Sequence, residues 1–404
     1  MLVRRADGLP LYYPTLYSVT QLRATHRAAA TIEQALRAVL FLYTVLGKLS
    51  VDLDGRLRRG ELLTIGEVDL LVQYSGLSIA AIDRGDPPLD KAKRDSLTRA
   101  GGGRVVFPDD FARVSSETAH IRILYVRAYL DWRIQYAILR MPAAASSTVA
   151  LAASASALSD AFASRSRRAS ARRSETGRQG LNDEQRQLLQ EAIDPNADPS
   201  PWSRKRSRRR NELMIRWLSD LGLRRGELLG VRVSDINFQA NELFIAKRPH
   251  DPLDPRIRQP NAKTRPRLLP LSEELVLETR KYITEVRRAL SGASKHDYLF
   301  VAMGSGQPLS LAALNKVFVV LRSRVPGLDE LLSPHVLRHT WNDAFSELMD
   351  EARVPAAKEE KWRSRLMGWN ETSGTAAIYT KRHIQRKASE AMLALQARLR
   401  RGNP

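Results

Sequence analysis

The sequence has no cysteine among its 404 residues. That absence excludes disulfide bonds, thiolate zinc sites and a cysteine nucleophile, and it fits a protein from a reducing compartment. Acidic residues are scarce, since 44 Asp and Glu stand against 65 Lys and Arg, which leaves a net charge of +21. Such a surplus favours a polyanionic partner, because each cation set against a phosphate releases counterions. Nucleic acid is the commonest such partner, although composition alone leaves RNA and an anionic membrane surface open.

Long apolar runs are also missing. No stretch approaches the roughly 20 apolar residues that span a bilayer, and the Ala-rich run 143–158 is interrupted by hydroxyl side chains. No apolar signal core follows the first residues. We therefore expect a cytoplasmic protein with no membrane partner. The 43% hydrophobic and 27% charged content is that of a globular chain.

The first third of the chain predicts a small helical bundle. Residues 31–46 place apolar side chains on one helical face, and Thr64 with Glu67 forms a capping-box pattern. Residues 116–141 carry aliphatic and aromatic side chains at helical spacing, which we interpret as core packing. We expect four or five helices in an N-terminal domain at residues 1–142.

Residues 143–180 change in character and are interpreted as a linker. Ala and Ser dominate first, and arginines with the single acid Glu175 follow. Such a segment is either a solvated charged surface or a set of phosphate contacts, and the overall charge favours DNA contact. The arginines assigned to DNA binding are Arg165, Arg167, Arg168, Arg172 and Arg173 in the linker, with Arg204 and Arg208 beyond it.

Residues 181–404 predict a second domain of helices around a few short strands. Asn182 is suited to cap a helix, and residues 211–221 are amphipathic. The remaining predicted elements are strands near 242–247 and 265–271 and helices at 272–290, 311–322, 334–349, 359–367 and about 384–400. The fold class is therefore mainly α with a small antiparallel β-sheet, in two domains.

The segment 331–340, LLSPHVLRHT, is the most specific in the chain. Its Ser-Pro pair starts a helix, on which His335 and Arg338 share a face. An Arg can clamp a phosphate through two hydrogen bonds, and a His can exchange a proton near pH 7. His335 and His339 also have metal-ligand spacing, but the Glu of a His-Glu-x-x-His motif is absent. No metal or other cofactor is therefore expected.

This segment resembles the His-x-x-Arg box of the tyrosine recombinase, or phage integrase, family, in which a second His, here His339, usually follows. Four further boxes occur in the family order over about residues 181–395. Residues 221–236 resemble the box of the first catalytic Arg, residues 261–271 the hairpin of the catalytic Lys, residues 366–370 a box with His or Trp, and residues 377–380 the nucleophile box. The matching residues are Arg224 with the supporting acid Glu227, Lys263, Trp369 and Tyr379.

The resemblance implies a chemistry for this set. Tyr379 would attack a DNA phosphodiester to form a 3′-phosphotyrosyl bond, and a second DNA 5′-hydroxyl would reverse the step. Arg224 and Arg338 would clamp the nonbridging oxygens, His335 would serve as base and Lys263 would protonate the leaving 5′-oxygen. Trp369 would donate to a phosphate oxygen and pack the pocket.

The resemblance also implies partners. The N-terminal domain would bind double-stranded DNA, and the two domains would clamp the duplex as a tetramer on paired sites, with accessory proteins left open. Integration or excision of a mobile element is the commonest use of such enzymes. The apolar residues Met392, Leu393 and Leu395 suit docking of the C-terminal helix on a neighbouring subunit, although a cap within one chain suits them equally.

Two departures keep alternatives open. Trp369 stands where His is commoner, and ten positions separate it from Tyr379, which is one more than usual. Arg265 and Arg267 are rivals of Lys263, because the register of the hairpin is not fixed by sequence. A non-catalytic DNA-binding protein of the same fold and a strand-relaxing topoisomerase therefore remain the competing functions.

Overall fold

The computed structural model describes residues 1–25, 27–83, 111–142, 145–170, 180–249, 251–260, 262, 264–370 and 374–400. Lys263, Arg172 and Arg173 lie outside these residues. The chain divides into two compact units, Met1–Gly177 and Arg178–Pro404.

The first unit is helical and has its own core. Its helices are α1 (Tyr12–Tyr17, continued by a π-helical segment Ser18–Arg23), α2 (Ala29–Lys48), α3 (Leu53–Arg58), α4 (Ile65–Tyr74), α5 (Ile79–Asp83), α6 (Ser116–Ile138) and α7 (Ser146–Ser170). Thr64 and Glu67 form the expected capping box at the start of α4. Tyr17 and Tyr129 are buried and meet edge to face with 5.2 Å between ring centroids. Of the aromatic residues of α6, Tyr129 thus belongs to the core, and Tyr125 and Trp132 are partly buried against it.

Helix α2 is more apolar than expected, since no stretch of the sequence was expected to be long and apolar enough to span a bilayer. It has the length and hydropathy of a membrane-spanning helix over its 20 residues, and it is the one such helix within the described residues. Its face with Val39, Phe41, Leu42 and Val45 is fully buried in the core of the first unit. Its apolar character is thus accounted for by packing.

Part of the predicted linker is a core element. Helix α7 occupies residues that the sequence assigned to the linker, and its Leu151, Leu158 and Phe162 are buried in the core of the first unit. The four- and seven-residue spacings between these three give a narrow apolar face on an Ala- and Ser-rich helix. Composition alone conceals that face.

The second unit combines helices with one three-stranded antiparallel sheet, which confirms the predicted fold class. Its helices are α8 (Asp183–Ala192), α9 (Lys205–Leu221), α10 (Arg225–Gly230), α11 (Glu273–Lys281, continued by a π-helical segment Tyr282–Arg287), α12 (Leu311–Arg324), α13 (Pro334–Glu351), α14 (Ala356–Met367) and α15 (Thr375–Arg400), with 3-10 turns at Val233–Asp235 and Ser291–Lys295. The strands β1 (Ile236–Asn237), β2 (Glu242–Ile245) and β3 (Arg267–Pro270) lie in the order β1-β2-β3.

The register of the strands places the apolar side chains of one sheet face in the core of the second unit. Leu243 pairs with Ile236 on one side and with Leu269 on the other, and all three are buried. The alternate residues Phe244 and Leu268 are exposed, as expected for a sheet with one covered face.

The C-terminal helix begins earlier than the sequence predicts. Helix α15 starts at Thr375, directly after Gly374, whose φ of +63° turns the chain into the helix. Tyr379 therefore lies on this helix. Further along it, Met392, Leu393 and Leu395 are 56%, 64% and 51% exposed, which leaves their docking on a neighbouring subunit or elsewhere a prediction.

Candidate active site

The site begins where α10 starts. Arg224 is the N-cap residue of this helix, and its backbone N–H donates to the Glu227 carboxylate at 3.0 Å. The Arg224 guanidinium lies 3.5 Å from the same carboxylate and is one-third exposed. Its Nη1 is buried and has no hydrogen-bond partner within the described part of the chain. The backbone of Arg224 is thus fixed by Glu227, and its guanidinium still has an N–H group that can donate a hydrogen bond to a ligand.

Glu227 is the buried acid of the site. It accepts from Arg267 at 3.0 Å and from the Thr264 hydroxyl, and the Arg338 guanidinium lies 3.8 Å away. Burial by itself raises the pKa of Glu227, but the charge and hydrogen bonds of Arg267, the charge of Arg338 and the bond from Thr264 outweigh it and lower the pKa to about 2. Glu227 is therefore an anion that holds cations in place.

Arg338 is 2% exposed on α13. Its guanidinium donates to the Gly222 carbonyl at 2.6 Å and to the Met367 carbonyl at 3.3 Å. Burial, followed by the charge of Arg224, lowers the pKa of Arg338 to about 9, so the group is still a cation at neutral pH. Two guanidiniums that repel each other around a single acid form a pocket that favours an anion.

Two glycines permit this packing. Gly222 ends α9 with φ of +58°, and a Cβ there would lie 2.9 Å from the Trp341 ring. Gly368 ends α14 with φ of +65°, and a Cβ there would lie 2.8 Å from the Arg265 carbonyl oxygen. The Gly368 carbonyl instead accepts from the Arg265 N–H at 2.9 Å, which holds the segment before Trp369 against the β2–β3 hairpin.

Tyr379 is buried between an aromatic ring and a histidine. The Trp369 ring stacks on it with 5.4 Å between centroids and 13° between planes. The Tyr379 hydroxyl lies 3.0 Å from Nδ1 of His339, and Nε2 of His339 lies 3.1 Å from Nε2 of His335. The phenol, the two imidazoles and the buried Arg338 thus belong to one cluster, because the Arg338 guanidinium lies 5.3 Å from the centroid of the Trp369 ring.

The indole N–H of Trp369 points to an anion role. Nε1 is buried and has no hydrogen-bond partner among the described residues. Burying a donor without an acceptor costs about 1–3 kcal/mol. A phosphate oxygen in the pocket would supply the acceptor.

The residues assigned to DNA contact divide into three groups. Arg204 is exposed at the start of α9. Arg208 instead bonds Glu212 and the carbonyl oxygens of residues 194, 195 and 197, and Arg165 bonds Asp69 within the first unit. These two hold the protein's own structure in this conformation. Arg167 and Arg168 lie on α7, and nothing further is described of their side chains.

Three residues of the site hold positions that sequence reasoning did not assign to them. Arg267, a rival of Lys263 in the sequence, is 7% exposed and pairs with Glu227. His339, assigned from the sequence as a supporting residue, lies within hydrogen-bond distance of the Tyr379 hydroxyl. Arg363 on α14 is fully buried, bonds Glu359, Ser346 and the Asn342 carbonyl, and lies 5.8 Å from the Tyr379 ring centroid.

A signal for these residues was present in the sequence. His339 is four residues after His335 and adjacent to Arg338, so it shares the helix face of the box. Arg363 is four residues after Glu359, a spacing that suits an ion pair. Neither spacing reveals burial, which required the tertiary structure.

Comparisons with known proteins identify the family of the chain. The sequence model of the phage integrase family matches residues 181–386, which include the whole cluster. Tyrosine recombinase XerD of Halalkalibacterium halodurans is 28% identical over 181 residues, or 45% of this chain and 52% of that protein. XerD of Chlorobaculum tepidum is 26% identical over 145 residues, or 36% of this chain and 42% of that protein. The chain thus spans about half the length of the curated relatives it matches.

Two solved structures are similar at low identity. The XerA recombinase is 15% identical, with a TM-score of 0.37 over 94% of this chain and 98% of that chain. The Tn1549 transposon integrase in complex with transposon right end DNA is 15% identical, with a TM-score of 0.44 over 70% of this chain and 80% of that chain. Because the family model covers just over half of the sequence, the chain belongs to the phage integrase family, the tyrosine recombinases.

Proposed function

We propose that this protein is a site-specific DNA recombinase that cuts and rejoins DNA through a 3′-phosphotyrosyl intermediate. The observation that carries the proposal is the Tyr379 hydroxyl, which lies 3.0 Å from a histidine ring nitrogen in the same cluster as the buried Arg338 and the one-third exposed Arg224. A phenol beside a proton acceptor and an anion pocket is the arrangement that nucleophilic attack on a phosphodiester needs.

The first step forms one bond and breaks another. The Tyr379 oxygen bonds to phosphorus, the bond from phosphorus to the 5′-oxygen breaks, and the phenol proton passes to the histidine pair. Lys263, assigned from the sequence, gives the proton that the 5′-oxygen needs. Attack by a second DNA 5′-hydroxyl reverses each transfer, so no external energy source is required.

The cations act on the charge that develops at phosphorus. Arg224 has buried donor capacity, and Arg338 is held rigidly by two carbonyl oxygens beside the Trp369 ring. A fixed donor of this kind is worth about 3 kcal/mol, or roughly a hundredfold in rate. The indole N–H of Trp369 would donate to a third position of the same phosphate.

The partner and use of the enzyme follow from the same proposal. The net charge of +21 suits double-stranded DNA, and the two units would hold the duplex as a tetramer on paired sites. Integration or excision of a mobile element would then be the biological reaction, carried out in the cytoplasm.

A nicked suicide substrate tests the proposal. The target is first selected from sheared genomic DNA of the source organism by retention on the full-length protein, and the retained sequence is rebuilt with a nick at successive positions. A recombinase traps a covalent protein–DNA adduct that Tyr379→Phe abolishes, and it joins two separate duplexes. Retention without any adduct would instead identify a non-catalytic DNA-binding protein, and an adduct without joining would identify a strand-relaxing enzyme.

A further inference from the structure

We propose that His339 is the immediate acceptor of the Tyr379 proton and that His335 is the outer member of the same relay. The inference rests on the proposed recombinase chemistry and moves the base from His335, as assigned from the family box, to its neighbour one helical turn along α13. His339 then is a catalytic residue, because it touches the reacting oxygen.

The contacts form a continuous line of three groups. The Tyr379 hydroxyl reaches Nδ1 of His339 at 3.0 Å, and Nε2 of His339 reaches Nε2 of His335 at 3.1 Å. The two imidazole rings meet nearly edge to face, with 4.4 Å between centroids and 64° between planes. Both distances lie within the range of ordinary hydrogen bonds.

Hydrogen-bond chemistry gives the line a direction. When the phenol donates, Nδ1 of His339 must be the acceptor, so a neutral His339 carries its proton on Nε2. That N–H then donates to Nε2 of His335, which carries its own proton on Nδ1. A proton entering His339 at Nδ1 therefore releases one from Nε2 to His335, and each nitrogen returns to its starting state when the reaction reverses.

Burial assigns the inner and outer positions. Tyr379 is 9% exposed and His339 is half-buried, whereas the His335 side chain is exposed. The proton thus moves from a buried oxygen towards the open side of the site. There, solvent or the bound DNA can share it.

The neighbouring aromatic ring fixes the phenol in this line. Trp369 stacks nearly parallel on Tyr379 and cannot itself carry a proton. A histidine at that position would offer a second acceptor. With Trp369 present, His339 and His335 supply the proton path.

Charged groups around the relay come from three helices and from the start of a fourth. Arg338, Asp343 and Asp350 lie on α13, Glu359 and Arg363 lie on α14, and His383 lies on α15 together with Tyr379, while Arg224 approaches from the start of α10. Arg363 is paired with Glu359, and His383 is paired with Asp350 at 2.7 Å. The cations Arg338 and Arg363 both interact electrostatically with Tyr379 and favour its ionised form.

The test is single-turnover cleavage of the nicked duplex between pH 6 and pH 9. His339→Asn keeps a side-chain oxygen that can accept from the phenol but cannot carry a proton. We expect about a hundredfold slower cleavage than wild type at pH 7. The deficit should shrink as the pH rises, since hydroxide can then remove the phenol proton without a histidine. His383→Asn is the matched control, and its pH profile should keep the wild-type shape.

A second substrate separates the removal of the Tyr379 proton from the protonation of the leaving 5′-oxygen. A duplex with sulfur in place of the bridging 5′-oxygen has a leaving group that needs no proton. The His339→Asn defect should persist on it, whereas the Lys263→Ala defect should largely disappear. A His339→Asn rate within threefold of wild type, or a deficit that does not change with pH, would overturn the relay while wild-type cleavage upheld the recombinase.

Histidine chemical shifts, measured by NMR without DNA, test the contact between Tyr379 and His339 even if the protein does not cleave DNA. In protein labelled with 15N-histidine, Tyr379→Phe removes the donor to His339, so the Nδ1 chemical shift of His339 should change, and that of Nε2 of His335 with it. Unchanged shifts of both histidines would overturn the inference independently of any activity.

Discussion

The Trp369 indole lies flat against the Tyr379 phenol, with 5.4 Å between ring centroids and 13° between planes. This contact joins the end of α14 to the first turns of α15 and leaves the hydroxyl directed at His339. The residue that departs from the commoner histidine thus orients the proposed nucleophile, and its own N–H remains available for substrate.

Trp369→Phe should separate stacking from hydrogen bonding. The phenyl ring keeps an aromatic surface against Tyr379 but has no N–H. A hydrogen bond from the indole N–H to a charged phosphate oxygen is worth about 1.5–3 kcal/mol, so the cleavage rate should fall about tenfold to a hundredfold. The free energy of unfolding should be nearly unchanged. Adduct formation and urea unfolding measure the two effects, and undiminished cleavage would mean that Trp369 only packs.

Arg338→Lys should slow cleavage about a hundredfold and spare most DNA binding. Lysine keeps the charge but loses the planar fork that spans the Gly222 and Met367 carbonyl oxygens. Cleavage rate and filter-binding affinity are compared on the same duplex. Equal losses of both would contradict a transition-state role.

Glu227→Gln should change the acid stability of the second unit. The pKa of Glu227 is lowered from an ordinary value near 4.5 to about 2, so its carboxylate contributes stability above pH 4.5 that is lost as the pH falls towards 2. That contribution is about 3 kcal/mol. The variant should be less stable than wild type at pH 6, and the difference should shrink by pH 3. Urea unfolding followed by tryptophan emission reports the second unit, since all six tryptophans except Trp132 lie there.

Arg204→Ala and Arg208→Ala form a matched pair. Arg204 is exposed, so its loss should lower DNA affinity and reduce the salt slope of binding by about one. Arg208 is bonded to Glu212 and to backbone carbonyls, so its loss should mainly reduce stability. Salt-dependent binding and thermal unfolding measure both variants, and the reverse pattern would refute the division.

Arg363→Met should destabilise the second unit by about 3–5 kcal/mol, because it leaves Glu359 buried without its cation. Adding Glu359→Gln should recover part of that loss. Urea unfolding of the single and double variants decides the point, and additive losses would contradict the pairing.

The sequence predicted those features that depend on local spacing. The helix that starts at Pro334, the capping box at Thr64 and the N-cap at Asn182 depend on neighbours within a few residues, and the structure contains all three. The strands predicted at 242–247 and 265–271 are present as the shorter Glu242–Ile245 and Arg267–Pro270. The order of the family boxes assigned Arg224, Arg338 and Tyr379 to one site, and in the structure Arg338 interacts electrostatically with both other residues, while their catalytic roles stay a prediction.

Features set by tertiary packing were not predictable. Helix α7 was assigned to a linker because three apolar residues among Ala and Ser give little signal until a core covers them. Lys263 was assigned from the sequence with Arg265 and Arg267 as rivals, and the burial of Arg267 against Glu227 was not predictable because it depends on the hairpin register. The contact from His339 to Tyr379 joins two helices 40 positions apart, and no spacing rule relates them.

The most direct test of the account is to identify the residue that becomes bonded to DNA. Wild-type protein is trapped on the nicked duplex, digested with nuclease and protease, and analysed by mass spectrometry for a peptide that carries a nucleotide. We expect a single modified peptide in which the phosphate is on Tyr379, and none from Tyr379→Phe. A nucleotide attached to another residue, or an adduct that survives in Tyr379→Phe, would contradict it.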